Sequence, residues 1–302
     1  MRRRDWHRVT RGGYVRSNAD PTALDLTRRL AAWQVALPPD AAFTHVTAAA
    51  VLGWWLPRLP EPVPVFVQVP MRRRVRRPGV RLLRTDAPRP PLLVDGLRIA
   101  SAPDVLLACA LDLGALDLDV VVDSALRSGI SHRTVEECAR ERRRGAVALR
   151  AALTRADPRS ESPWETALRR FHEVVDAPVA PQHRVEHEGR FVARGDLWIA
   201  GTRTLQEYDG AVHRTPRQQE KDLRRERRLN EAGWVRNGYT SRDLVNRPLT
   251  VLQDVDRALG RPTDPARLDA WAVLLRESCT TPAGRSRLAQ RWPGPNPEQL
   301  DS

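Results

Sequence analysis

A chain of 302 residues can bury one large core or two modest ones, and two domains are the expectation. The 50 Lys+Arg against 37 Asp+Glu give a net charge of +13 and a pI near 11.1; Lys221 is the single lysine, so arginine carries the charge, either from a coding bias or because its planar fork suits phosphate. No stretch reaches the ~18 apolar residues of a spanning helix, and Cys109, Cys138 and Cys279 are too scattered for a metal or disulfide pattern, so a cytoplasmic protein with no membrane partner is expected.

In chain order, "TALDLTRRLAAWQVAL" spaces Leu24, Leu26, Leu30 and Trp33 much like the stripe of an amphipathic helix, and "THVTAAAVLGWWL" predicts a second, more buried one. "VPVFVQVP" alternates Val65, Val67 and Val69 between prolines as a strand. A basic turn, "MRRRVRRPG", with Arg72, Arg73, Arg74, Arg76 and Arg77, leads to the strand "VRLLRTD"; "LLVDGLRIA" places Asp95-Gly96 at a tight hairpin. Helical patterns follow in "SAPDVLLACALDLG", "DLDVVVDSALRSG" and "TVEECARERRRGAVALRAAL".

A domain boundary is expected at "TRADPRSESPW", giving domains at 1–156 and 157–260 and a C-terminal helix with a loose tail at 261–302. "SESPWETALRRFHEVV" opens the second domain with Ser162 as N-cap, Pro163 at the first helical position and Glu165 at the third, a capping-box arrangement. Strands are predicted at "PQHRVEHEG", "RFVARGDLWIA" and "RTLQEYDG", a polar helix at about 216–232, a strand at "GWVRNGYT" and a helix near Val251. That order fits a mixed sheet flanked by helices, an α/β fold preceded by a smaller α+β domain.

Residues two apart in a strand share a face, so Glu207 and Asp209 aim together. Should the arm with Asp196 pair beside them, three carboxylates converge, which is unfavourable unless a cation sits between. Mg²⁺ or Mn²⁺ takes hard oxygen ligands of this kind and can polarise a phosphoryl oxygen and activate water. Acids at a hairpin end paired with the abundant arginines are the other explanation, and Glu165 is explained by capping alone. The polar helix and its approach carry Arg214, Arg217, Lys221, Arg224, Arg225, Arg227 and Arg228 against Glu220, Asp222 and Glu226, a face that is either solvated or set to hold a phosphate backbone.

From Ser162 to about Leu244, "SPWE", the "GD" strand, "EYDG", a histidine and "KDLRRERRLNEAGW" resemble the very-short-patch-repair-like endonucleases of the restriction-endonuclease-like PD-(D/E)XK superfamily. The resemblance implies metal-dependent DNA phosphodiester hydrolysis with Mg²⁺ or Mn²⁺. Asp196 and Glu207 match the acidic pair and Glu165 the acid of the first helix, so that with Asp209 they form the implied metal set. His213 matches the histidine near the attacking water. Asp209 stands where many members carry lysine, which leaves water activation to His213 or Lys221 and keeps an inactive, DNA-binding remnant as the alternative. "GGYV", "FTHVTAAAVLGW" and "DGLRIASAPDVLLACA" resemble the abortive-infection (AbiEi) type antitoxins, which implies a regulator with a toxin partner; Arg72, Arg73 and Arg74 are then candidate phosphate contacts beside Arg214, Arg217, Arg224 and Arg225.

Overall fold

The computed structural model describes residues 6–16, 25–73, 77–210 and 216–292. The chain divides into two compact units, one made of Met1–Leu113, Ser128–Thr154 and Arg285–Ser302, the other of Gly114–Arg127 and Arg155–Gly284. Both are α/β, with mixed sheets flanked by helices.

In the first unit β1 (Trp6–Thr10) and β2 (Gly13–Arg16) form an antiparallel hairpin. Next come α1 (Leu26–Val35), β3 (Ala42–Phe43), α2 (His45–Val51), β4 (Val65–Pro70), β5 (Val80–Thr85), β6 (Leu92–Val94) and β7 (Leu97–Ile99). The five-stranded sheet has the order β5-β4-β3-β7-β6. β4 and β5 run parallel, so they are not joined as a hairpin; residues 74–76 of the basic stretch lie outside the described residues. Asp95 and Gly96, with φ of 49° and 78°, close the β6–β7 hairpin as expected, because a doubly left-handed turn matches the twist of the flanking strands. Ser101 caps α3 (Ala102–Cys109) by accepting from the Asp104 amide. The long helical pattern at 134–153 is two helices, α5 (His132–Arg140) and α6 (Ala146–Arg155), numbered after α4 of the other unit. The break falls at Gly145, whose φ is 86°; a β-carbon there would lie 2.6 Å from the Leu107 carbonyl oxygen, so glycine lets the loop close onto α3.

In the second unit α4 (Ala115–Arg127) packs beside α7 (Pro163–Val174). β8 (Val179–His187), β9 (Arg190–Ile199), β10 (Thr204–Tyr208) and β11 (Val235–Tyr239) form a sheet of order β11-β10-β9-β8, antiparallel except for the parallel β10–β11 pair. The crossover between those two is α8 (Pro216–Glu231), which a parallel pair requires. Every strand and helix expected between 162 and 239 is present. α9 (Ser241–Asn246), α10 (Pro248–Ala258) and α11 (Leu268–Glu277) follow. Leu168, Phe171, Leu197, Ile199, Tyr239, Leu252 and Trp271 form the core on one face of the sheet; Val185, Ala193, Leu205, Leu229 and Ala232 form the α8 side.

Three expectations need correction. The change of unit at Arg155 lies beside the expected boundary, but α4 belongs to the second unit, because its buried Asp119 and Asp123 bind Arg155, Arg169 and Arg170 of that unit. After 261 the expected helix is present as α11, which buries Trp271, but the part after it is not a loose tail through 292: α12 (Pro282–Arg291) leads to a buried Trp292. In α7 the Ser162 hydroxyl accepts from the Glu165 amide at 3.2 Å, yet the Glu165 carboxylate reaches past Ser162 to the Glu161 amide at 2.8 Å, so the capping box is displaced by one residue. The three cysteines are free and buried. Among the described residues no helix is long and apolar enough to cross a membrane.

Candidate functional site

Asp196 and Glu207 lie at one end of the second unit's sheet, Asp209 follows directly on β10, and Glu165 lies in the first turn of α7. Leu205 pairs with Trp198 and Gln206 with Leu197; one step on, Glu207 lies across from Asp196, so both carboxylates leave the same face. The alternation of β10 is as expected. Leu205 packs toward α8 and Glu207 meets Arg225 of that helix, while Tyr208 faces away and stacks on Trp164 of α7, ring centroids 5.7 Å apart. Two glycines keep this end tight. A β-carbon at Gly195 would press into the Leu205 side chain at 2.8 Å, and one at Gly238 would collide with the Asp209 carboxylate.

Asp196 Oδ2 accepts from the Tyr208 amide at 3.0 Å. Burial, reinforced by Glu165 and then Glu207, pushes its carboxyl up to about 7, against the pull of that amide and Arg225. Glu165 is also raised by burial, although its Oε2 accepts from the Glu161 amide and from Gln182 Nε2 at 3.0 Å. Glu207, 5 % exposed, is in the opposite condition. Burial would raise it, but Arg225 and Arg236 hold it below the usual carboxylate range. Arg225 Nη1 lies 2.8 Å from Oε2, Arg225 Nη2 binds Oε1, and Arg236 Nε binds Oε2. Arg236 also donates to Asp209 Oδ1 at 2.8 Å. The four acids therefore split. Glu207 and Asp209 sit in an arginine clamp, whereas Asp196 and Glu165 are raised by burial.

This split bears on the implied metal. Asp196 and Glu165 are hard oxygen donors of the kind a divalent cation takes, and burial weighs against the bare charge of each. Glu207 and Asp209 do not join them while both are engaged by arginine, and among the described residues no group of three His, Cys, Asp or Glu gathers as a metal site.

The remaining predicted residues are distributed more widely. His213, Arg214 and Arg74 lie outside the described residues, as does the side chain of Arg217. Lys221 is exposed on α8, one turn before Arg225. Arg224 pairs with Glu220 at 2.6 Å. Arg72 is exposed, and Arg73 pairs with Asp40 at 2.8 Å. Trp234, which leads into β11, is half-buried against His183 and Trp198 at the edge of the α8-side cluster.

Two participants were not read from the sequence. Arg236 lies in "GWVRNGYT" without any acidic neighbour in the chain; it reaches Glu207 only because β11 is parallel to β10 and brings Arg236 level with Leu205. Gln182 lies in β8 across from Asp196, between the Pro181–Leu197 and His183–Gly195 pairs. Its φ of 54° is left-handed and strained for a residue with a side chain, a feature that concentrates at functional positions. Its Nε2 holds Glu165, and its buried Oε1 has no hydrogen-bond partner among the described residues.

The second unit is thus an α/β body with a cluster of carboxylates and arginines at one sheet end. No family model, no curated protein and no solved structure matches the chain.

Proposed function

We propose that the second unit is a restriction-endonuclease-like domain that hydrolyses DNA phosphodiester bonds with Mg²⁺ or Mn²⁺. The observation that supports this most is the pairing of Asp196 with Glu207 across two strands, with Asp196 raised to about 7 by burial and by Glu165 and Glu207. Such a carboxyl marks a site short of one positive charge. Asp196 and Glu165 are the residues that would hold the cation, with Glu207 joining them if Arg225 is drawn to phosphate; the cation would supply a polarised phosphoryl oxygen and an activated water. Arg225 and Arg236 have forks suited to phosphate as well as to carboxylate. Arg224 and Lys221 extend the basic face along α8, where a DNA backbone can lie, and His213 or Lys221 would accept the water's proton.

A second reading has its own support. The arginine clamp on Glu207, with Asp209 at the position where this nuclease class often carries lysine, suits an inactive DNA-binding regulator of the abortive-infection antitoxin type, with a toxin as partner. One experiment separates the two. Purified protein is incubated with supercoiled DNA and Mg²⁺ or Mn²⁺, with and without chelator. Chelator-sensitive nicking that Asp196→Asn abolishes carries the nuclease reading; salt-sensitive DNA binding without nicking under either metal carries the regulator.

A further inference from the structure

The first unit holds a cavity of about 550 Å³, lined by the outer strand β5, helix α3 and the loop between α5 and α6. Six arginines face it: Arg81, Arg84, Arg142, Arg143, Arg144 and Arg291. Leu82, Leu83, Leu107 and Leu111 give it an apolar side. Nothing in the nuclease reading uses this place.

Four of the arginines are fixed, Arg84 by donating from Nε to the Arg73 carbonyl at 3.2 Å. Arg143 donates to Asp104 Oδ1 at 2.6 Å and to Thr85 at 3.4 Å. Asp104 is itself buried, receives the Ser101 hydroxyl and also binds Arg89 at 2.8 Å. Arg291 lies 3.0 Å from Asp112 Oδ1 and donates to the Leu111 carbonyl at 2.8 Å, and Arg81 lies 3.9 Å from Asp112 Oδ2. Asp104 and Glu141 together meet Arg89 and Arg143, whereas Asp112 alone meets both Arg81 and Arg291, so the positive charge left at the cavity lies on the Asp112 side and on Arg142 and Arg144. Asp86, the third acid of the lining, is exposed. Arg142 and Arg144 are different in kind: both are exposed and neither has an ion pair or hydrogen bond among the described residues. They flank the anchored Arg143 in a loop that Gly145 presses against α3. Like charges gathered on one wall repel one another, so the cluster gains from an anion that collects them.

We propose that this cavity binds a phosphate-bearing ligand of nucleotide size, its phosphates received by Arg142, Arg143 and Arg144 and its base lying along the leucines. The volume falls within the usual range for small-ligand pockets, and arginine forks pair with two phosphate oxygens at once. A free nucleotide and the terminal nucleotide of a nucleic acid present the same chemistry.

The test uses the full chain in chelator, with inorganic pyrophosphate, ATP and a 5′-phosphorylated 12-nucleotide single strand as probes in calorimetric titrations. Saturable 1:1 binding of ATP or pyrophosphate, weakened on the order of tenfold or more in Arg142→Ala/Arg144→Ala, supports the site and identifies a free ligand. Binding of the oligonucleotide alone, weakened to the same degree by that double variant but not by Arg133→Ala on the exposed side of α5, supports the site and identifies a nucleic acid end. Arg142→Lys/Arg144→Lys keeps the charge and loses the forks, so it should bind between the two. Equal binding of every probe by wild type and Arg142→Ala/Arg144→Ala, with unchanged thermal melts, overturns the proposal, as does binding of none.

Discussion

Arg225 grips both carboxylate oxygens of Glu207, one of them at 2.8 Å, and so joins α8 to β10 at the centre of the acid cluster. Replacing it leaves a nearly buried carboxylate with Arg236 as its remaining cation in the clamp. Arg225→Ala should cost about 1–3 kcal/mol of stability, and Arg225→Lys should restore only part because a lysine cannot span both oxygens. Glu207 is held below its ordinary range, so the clamp stabilises the fold above the unfolded carboxylate pKa near ~4.3 and its contribution disappears as pH falls through the lower folded value. Urea unfolding of wild type and Arg225→Ala should therefore differ at pH 7 and converge in acid. An equal difference at both pH values would show that the clamp is not what the substitution removes.

Asp196 has the opposite sign. Its folded pKa of about 7 lies above the unfolded value, so the folded state binds the extra proton and stability falls as pH rises from about 4 to about 7. Asp196→Asn keeps an oxygen for the Tyr208 amide and removes the charge. It should remove that slope and stabilise the protein at pH 8 by on the order of 2 kcal/mol, after allowance for solvent at a partly exposed site. A parallel pH–stability profile for wild type and variant would contradict the raised carboxyl.

Trp271 tests the part of the chain whose composition was least informative. It is 1 % exposed and donates from Nε1 to the Leu244 carbonyl at 2.8 Å, so Trp271→Ala should cost about 3–5 kcal/mol. Trp234, half-buried at the cluster's edge, should cost less in the same chemical denaturation series. A reversed order would place the core on the wrong side of the sheet.

The acidic site was legible where its logic is local. The two-residue period of "LQEYD" sets the face of Glu207, and Asp196 shares that face because the "GD" strand pairs beside it; the Asp95-Gly96 turn was legible because its signal is local. What stayed hidden depends on distant pairing. Arg236 meets Glu207 through a parallel strand, Gln182 meets Asp196 through β8, and α4 reaches its arginines through buried ion pairs such as Asp123 with Arg169 at 2.7 Å. Acidic residues at every third or fourth position of a helix read from sequence as a solvated face, and here Asp119 and Asp123 are buried. The helix of Trp271 was legible from its apolar patch, whereas α12 and the buried Trp292 were obscured by the prolines and charges around them.

The proposed chemistry separates acids from cations. Asp196→Ala and Glu207→Ala should each abolish metal-dependent nicking and leave DNA binding largely intact, because phosphate contacts come from the basic face. Lys221 and Arg224 are exposed on α8, so alanine at either should spare the fold, weaken binding and reduce the dependence of log K on log salt by about one phosphate contact each. His213→Ala should slow cleavage by roughly 10²–10⁴ if the imidazole accepts the water's proton; in that case Lys221→Ala affects binding more than rate, and the reverse pattern assigns the proton to Lys221. Initial rates of plasmid nicking and filter-binding isotherms over a range of salt measure both sets of effects on the same preparations. Nicking that persists in Asp196→Ala/Glu207→Ala would locate the activity outside this cluster.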